Sequence, residues 1–167
     1  MTKLTKLIAF FAALTFQSFA AAQALWGGTE YGMSVSQVQA QHPTASRPAE
    51  LSTLYGGVKG LLTLPEIEIA NAKFKPTFYF KDEKLVQVTL SNTQNSFHSA
   101  IADFRSVSTA LRAKYGEEIS KEMTQGQATS NWLSGKTNIT LFAMTMSDST
   151  MLNIAYQVRI AQDADKL

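Results

Sequence analysis

Apolar and polar positions change period several times along this chain, and each change marks an element. The first apolar stretch has no period at all. Leu7 to Phe19 is almost unbroken, with Ile8, Phe10, Phe11, Leu14, Phe16 and Phe19 as its bulky members. Lys3 and Lys6 precede it, and Ala22-Gln23-Ala24 follows with the small-x-small spacing that signal peptidase cleaves. The run is too short to cross a bilayer core of about 30 Å, and no stop-transfer segment follows. Residues 1–24 are therefore predicted to be a signal peptide cleaved after Ala24. The mature protein then begins at Leu25 in the periplasm, without a membrane anchor.

From Met33 the pattern becomes helical. Ser34 suits an N-cap, Gln37 stands three residues on to complete a capping box, and Met33 and Val38 occupy the positions of a hydrophobic staple. Pro43 limits this helix to two or three turns, because the residue before a proline is steered away from helical angles. Residues 43–53, with Pro43, Ser46, Pro48 and Ser52, form a loop. Strand patterns follow over Val58 to Leu64 and Ile67 to Asn71. The clearest hairpin runs from Thr77 to Lys81, turns at Asp82-Glu83 and returns over Leu85 to Ser91, where Val86, Val88 and Leu90 alternate with Gln87 and Thr89. Asn92 to Asn95 is a polar break.

Ser96 to Tyr115 predicts a long helix, its apolar stripe formed by Phe97, Ala100, Ile101, Phe104, Val107, Leu111 and Tyr115. Arg112 and Lys114 suit its C-terminal dipole and Gly116 its left-handed C′ position. Four more strands are predicted over 117–123, 128–133, 137–146 and 151–160. In the last, Leu152, Ile154, Tyr156, Val158 and Ile160 face one way and Asn153, Gln157 and Arg159 the other. Strands grouped behind helices, without strict βαβ alternation, predict an α+β fold: an antiparallel sheet with helices on one face. Residues 25–167 form a single domain, in which a helix and an antiparallel meander occur twice, over 25–95 and 96–167, with negligible sequence identity between the halves.

Charge and composition narrow the chemistry. The chain holds 15 Lys+Arg and 13 Asp+Glu, but two of the lysines lie in the signal segment. The mature part is close to neutral, which argues against nucleic acid as a partner. About 143 mature residues can bury a core without staples. The absence of cysteine excludes disulfides, thiol catalysis, Fe–S clusters, zinc-finger sites and acylation at an N-terminal cysteine. His42 and His98 are far apart and lack a metal-binding motif, and each is expected to be exposed on a helix.

No catalytic constellation is legible. There is no Gly-x-Ser-x-Gly elbow, and His98 and Asp103 diverge around their helix. Glu66 with Glu68 reads as a solvated strand face, Glu117 with Glu118 likewise, and Lys73, Lys75 and Lys81 as edge protection. Gly56-Gly57-Val58-Lys59-Gly60 lacks the Gly-Lys-Ser/Thr ending of a phosphate loop and reads as a hairpin turn. Met123, Met144, Met146 and Met151 read as core or lining residues. No catalytic, cofactor or metal site is expected. The candidate binding residues are aromatic: Trp26, Tyr31, Tyr55, Tyr79 and Trp132. Among them Tyr79, between Phe78 and Phe80, is expected on the sheet face away from the helices, as an exposed contact anchor.

Trp26-Gly27 followed by Tyr31-Gly32-Met33-Ser34-x-x-x-Val38 resembles the opening of a group of small, uncharacterised Gram-negative periplasmic proteins. Phe78-Tyr79-Phe80-Lys81-Asp82-Glu83-Lys84-Leu85 and Leu111-x-x-Lys114-Tyr115-Gly116 followed by Trp132 extend the likeness over most of the mature chain. The helix-plus-meander plan is also similar to β-lactamase inhibitor protein and to the SmpA/OmlA-type outer-membrane assembly lipoproteins, although the acylated cysteine of the latter is missing here. Those proteins act by binding other proteins. The resemblance implies a soluble periplasmic protein-binding module, an envelope factor without catalytic activity. The alternatives are a periplasmic immunity or inhibitor protein against a cognate toxin or enzyme, and a binder of a small apolar ligand held between helix and sheet by Phe97, Ile101, Phe104, Leu152 and Ile154.

Overall fold

The computed structural model describes residues 23–93, 97–145 and 149–158, with residues 97–101 described by their backbone alone. The expected signal segment before Gln23, together with Met146, Asp148, Arg159, Ile160 and the side chains of Phe97, His98 and Ile101, lies outside the described residues. Helix α1, Val35–Gln41, starts from a complete capping box. The Gln37 N–H donates to Ser34 Oγ at 3.3 Å and the Ser34 N–H donates to Gln37 Oε1 at 2.8 Å. It ends at His42, ahead of Pro43. His42 is not exposed as expected. Its ring stacks on Trp26, with centroids 6.3 Å apart, and tilts against Phe78 at 5.3 Å, because the chain entering and leaving α1 folds back onto the sheet.

Strand β1, Thr53–Leu54, turns through Tyr55-Gly56-Gly57 into β2, Val58–Thr63, and both glycines take left-handed angles there. Strand β3 is Ile67–Ile69, β4 is Ala72–Lys81 and β5 is Lys84–Asn92. The turns at Ala70-Asn71 and Asp82-Glu83 have positive φ at both residues, the type I′ geometry that matches strand twist. β4 begins five residues earlier than the sequence predicts and runs through Pro76. The position tolerates proline because it falls in a gap on one side of β4. Thr63 pairs with Thr77 before the gap and Ile67 with Phe74 after it. No ladder partner waits there for the missing N–H, while the Pro76 carbonyl accepts from the Leu64 N–H at 3.0 Å and Thr63 Oγ1 at 2.8 Å.

Helix α2, Phe97–Tyr115, stops at Gly116, which adopts φ +83° and returns its N–H to the Arg112 carbonyl at 2.9 Å. Strands β6, Ser120–Thr124, β7, Gln127–Ser134, β8, Thr137–Thr145, and β9, Thr150–Val158, complete the chain. The fold is α+β with one antiparallel sheet, in the order β1-β2-β4-β5-β9-β8-β7-β6, and β3 flanks β4. The two meanders meet through their last strands, β5 against β9.

Both helices cover the same face. Phe78, Val88 and Tyr156 form one cross-strand row. Phe78 meets His42 at the end of α1, and Tyr156 meets Tyr115 at the end of α2. Phe74, Leu85, Leu90, Ile139, Leu141 and Ile154 lie fully buried on this side. Burial, and the neighbouring Tyr115, push the Tyr156 phenol well above its ordinary range, so it stays neutral.

Candidate protein-binding face

Strand alternation sends every second side chain to the opposite, helix-free face, and the ladder registers order those side chains in rows. Gln87, Gln157, Asn138 and Leu133 form one row. Thr89, Ala155, Thr140 and Asn131 form the next, followed by Ser91, Asn153, Phe142 and Thr129, and by Met151, Met144 and Gln127. These rows span β5, β9, β8 and β7 without one ionisable side chain. Charge returns around them, at Lys75 and Lys81 on β4, at Lys84 where β5 begins, and at Glu122 on β6.

The polar groups are partly tied to one another. Asn131 Nδ2 donates to Ser120 Oγ at 3.0 Å, Thr140 Oγ1 donates to Asn131 Oδ1 at 2.7 Å, and Asn138 Nδ2 donates to Thr140 Oγ1 at 3.0 Å. Gln87 Nε2 donates to Thr89 Oγ1 at 2.9 Å. Such links hold the side chains in place before any partner arrives, lowering the entropy lost on contact. A depression of about 260 Å³ lies over this region, floored by Thr89, Thr140 and Ala155 and bounded by Phe142 on one side and Leu54 and Tyr79 on the other.

Tyr79 lies on this face, away from Phe78, but it is not an exposed anchor. It is only 7% exposed. Gly60 stands opposite it on β2, and the segment leading into β1 folds over it, so that Ser52 Oγ donates to the phenol at 3.0 Å. Trp132 is not available to a partner either. It is fully buried beneath α2, where its indole N–H donates to the Gly116 carbonyl at 3.0 Å. Trp26 is partly buried on the helix side in the His42–Phe78 stack. Tyr31 is partly open in the turn before α1, and Tyr55 is fully exposed at the tip of the β1–β2 hairpin. The five aromatics are thus distributed over both faces rather than gathered.

Phe142 and Leu54 escape sequence reasoning. Phe142 leaves a trace: in Ile139-Thr140-Leu141-Phe142-Ala143 it is an apolar residue in the polar phase of an amphipathic strand. One cluster of ionisable groups is engaged elsewhere. Arg112 forms a two-pronged ion pair with Glu118, with Nε to Oε2 at 2.5 Å and Nη2 to Oε1, and also approaches Glu117. The hydrogen bond from Arg112 is the main cause that lowers the Glu118 carboxyl to about 2. Glu68 pairs with Lys73 across β3 and β4, and β4 is internal, so its lysines do not protect an edge. Among the described residues no three His, Asp or Glu side chains converge as a metal site, and no helix is long and apolar enough to cross a membrane. No protein family, curated protein or solved structure matches this chain.

Proposed function

We propose that this protein is a periplasmic protein-binding module, an envelope factor that acts by contact rather than catalysis. The observation that carries the reading is the continuous set of rows from Gln87 to Gln127 on β5, β9, β8 and β7, uncharged among the described residues, prearranged by its own hydrogen bonds and hollowed beside Phe142. A face left uncovered by helices and free of ionised groups carries little of the desolvation cost that charges impose on association. The signal-like residues 1–24 support an exported location. Of the titratable side chains singled out in the sequence, His42 is held in a ring stack and Glu117 and Glu118 face Arg112.

The test is affinity capture from an envelope extract with tagged protein, run beside a Phe142→Arg/Asn153→Arg variant and read by mass spectrometry. Both residues are half-buried on the face, and the variant is checked by its melting curve. One stoichiometric protein captured by the parent and lost from the folded variant supports the reading. Capture that survives the variant removes the face as the contact, and a co-purifying small molecule in place of a protein overturns the binding class. If the partner is a single toxin or enzyme whose activity falls on binding, the module is an immunity or inhibitor protein.

A further inference from the structure

Helix α2 does not reach the end of the sheet. On its side of β6, Lys121 stands opposite Ser130 and Met123 opposite Ala128. Ser130 is fully buried, whereas Met123 is 56% exposed. The uncovered strip forms a trough of about 370 Å³ between the flank of α2, with Arg105, Ser108 and Arg112, and the inner side of β6, with Lys121 and Met123. One end deepens into an apolar recess of about 70 Å³ between Phe104, Met123, Ala128 and Ala143.

Two properties of the trough point to an occupant. Ser108 is 5% exposed, lines the trough, and its hydroxyl has no hydrogen-bond partner. The trough is also positive. Arg105, Arg112 and Lys121 line it and no carboxylate does. Arg112 is already held by Glu118 and Glu117, while Arg105 and Lys121 form no ion pair among the described residues, although the field of Lys121 reaches Glu118. Counting both glutamates against the three cations still leaves one net positive charge. Size narrows the choice further. The recess holds roughly five water-sized atoms, enough for one leucine or methionine side chain and too little for the acyl chain of a membrane lipid.

We infer that the trough between α2 and β6 binds an acidic, extended peptide segment of a partner protein, with one apolar side chain seated in the recess beside Phe104. β6 pairs only with β7 among the described residues, so its outer edge offers main-chain groups to such a segment. This site lies on the helix-bearing face and does not depend on the open-face reading.

The test is an NMR titration of ¹⁵N-labelled protein with a blocked pentapeptide of four glutamates around a central leucine. The comparison probes are the same peptide with glycine at its centre, its four-lysine counterpart, and octanoate. Saturable shifts at Arg105, Ser108, Lys121 and Met123, weakened about tenfold by the central glycine, are expected. In an Arg105→Glu/Lys121→Glu protein the glutamate peptide should lose about tenfold in affinity while the lysine peptide gains. Both substitutions are on the surface, so amide shifts elsewhere should be unchanged, and Met123→Gln serves as a second variant should the double one misfold. Shifts confined to the Gln87 and Thr140 face, insensitivity to charge reversal, or no saturation at millimolar peptide would each overturn the inference. Octanoate binding as tightly as the peptide would make this an amphiphile site instead.

Discussion

Ser52 donates a hydrogen bond of 3.0 Å to the phenol of Tyr79, from a segment that lies across the open sheet face. Beneath the contact is Gly60, where an added Cβ would come within 2.6 Å of Ser52 Oγ and 3.2 Å of the Tyr79 ring. The three residues lock the β1 wall onto the sheet and make an outward-facing tyrosine into a packing residue. Tyr79→Ala should cost about 3–5 kcal/mol, the usual loss for a buried aromatic. Tyr79→Phe should cost about 1 kcal/mol, for the hydrogen bond alone. Urea denaturation distinguishes these outcomes from the near-zero change expected of a free surface anchor.

A partner held on the uncharged face should be nearly indifferent to salt. Exposed charges are screened within about 8 Å at physiological ionic strength, and among the described residues the rows from Gln87 to Gln127 carry none, with Lys81 and Lys84 lying at their margin. Calorimetric titration of the captured partner at low and high sodium chloride should give affinities within about twofold. The acidic-peptide trough should behave oppositely, weakening steadily as salt rises.

Acid should remove the link between the end of α2 and the strand that follows. The Glu118 carboxyl lies at about 2 in the folded protein, below its ordinary 4.5, chiefly through the Arg112 hydrogen bond. A depressed folded value means that the contribution is fully present above the unfolded value and is lost as pH falls from about 4.5 toward 2. Glu118→Gln should therefore lower stability at neutral pH and leave it little changed at pH 2. Thermal melts of both proteins across that range provide the check.

The Asp82-Glu83 turn stores strain that can be relieved. Glu83 is exposed and sits at φ +61°, an angle that costs a non-glycine residue about 1–2 kcal/mol. Glu83→Gly removes that cost but frees the unfolded chain, so the net gain should be about 0.5–1 kcal/mol. A higher melting temperature with unchanged partner binding is the expected result.

Gln23 and Ala24 belong to the folded structure. The Gln23 carbonyl accepts from the Tyr31 N–H at 2.9 Å, and the Ala24 carbonyl accepts from Thr137 Oγ1 at 2.7 Å. Cleavage after Ala24 would leave the buried Thr137 hydroxyl without this partner, at a cost of about 1–3 kcal/mol. Cleavage after Ala22, where Ala20 and Ala22 also provide small-x-small spacing, keeps both contacts. Intact mass of the exported protein should therefore correspond to a chain starting at Gln23; a start at Leu25 would show that export takes precedence over this hydrogen bond.

What the sequence by itself determined is local. The Ser34–Gln37 box, the stop at Pro43, Gly116 at the end of the long helix and the Asp82-Glu83 turn depend on residues a few positions apart, and all appear at their expected places. The side of most strand residues was equally legible, since alternate side chains face opposite ways, and Leu152, Ile154, Tyr156 and Val158 are buried together accordingly. At the start of β5 a bulge breaks the expected alternation of Val86 with Val88, and Leu85, opposite Phe80, is buried in its place. The long-range arrangement was not legible. Pairing of β5 with β9 joins residues far apart in the chain, and it alone merges two polar half-faces into one surface whose central rows are uncharged. Burial, too, depends on what lies across a side chain. Tyr79 is covered by Ser52 and Trp132 by α2, while Met123 stays open because α2 packs over β7, β8 and β9 and leaves β6 uncovered. A period in the sequence tells which way a side chain points; only the packed structure decides whether anything is there to meet it.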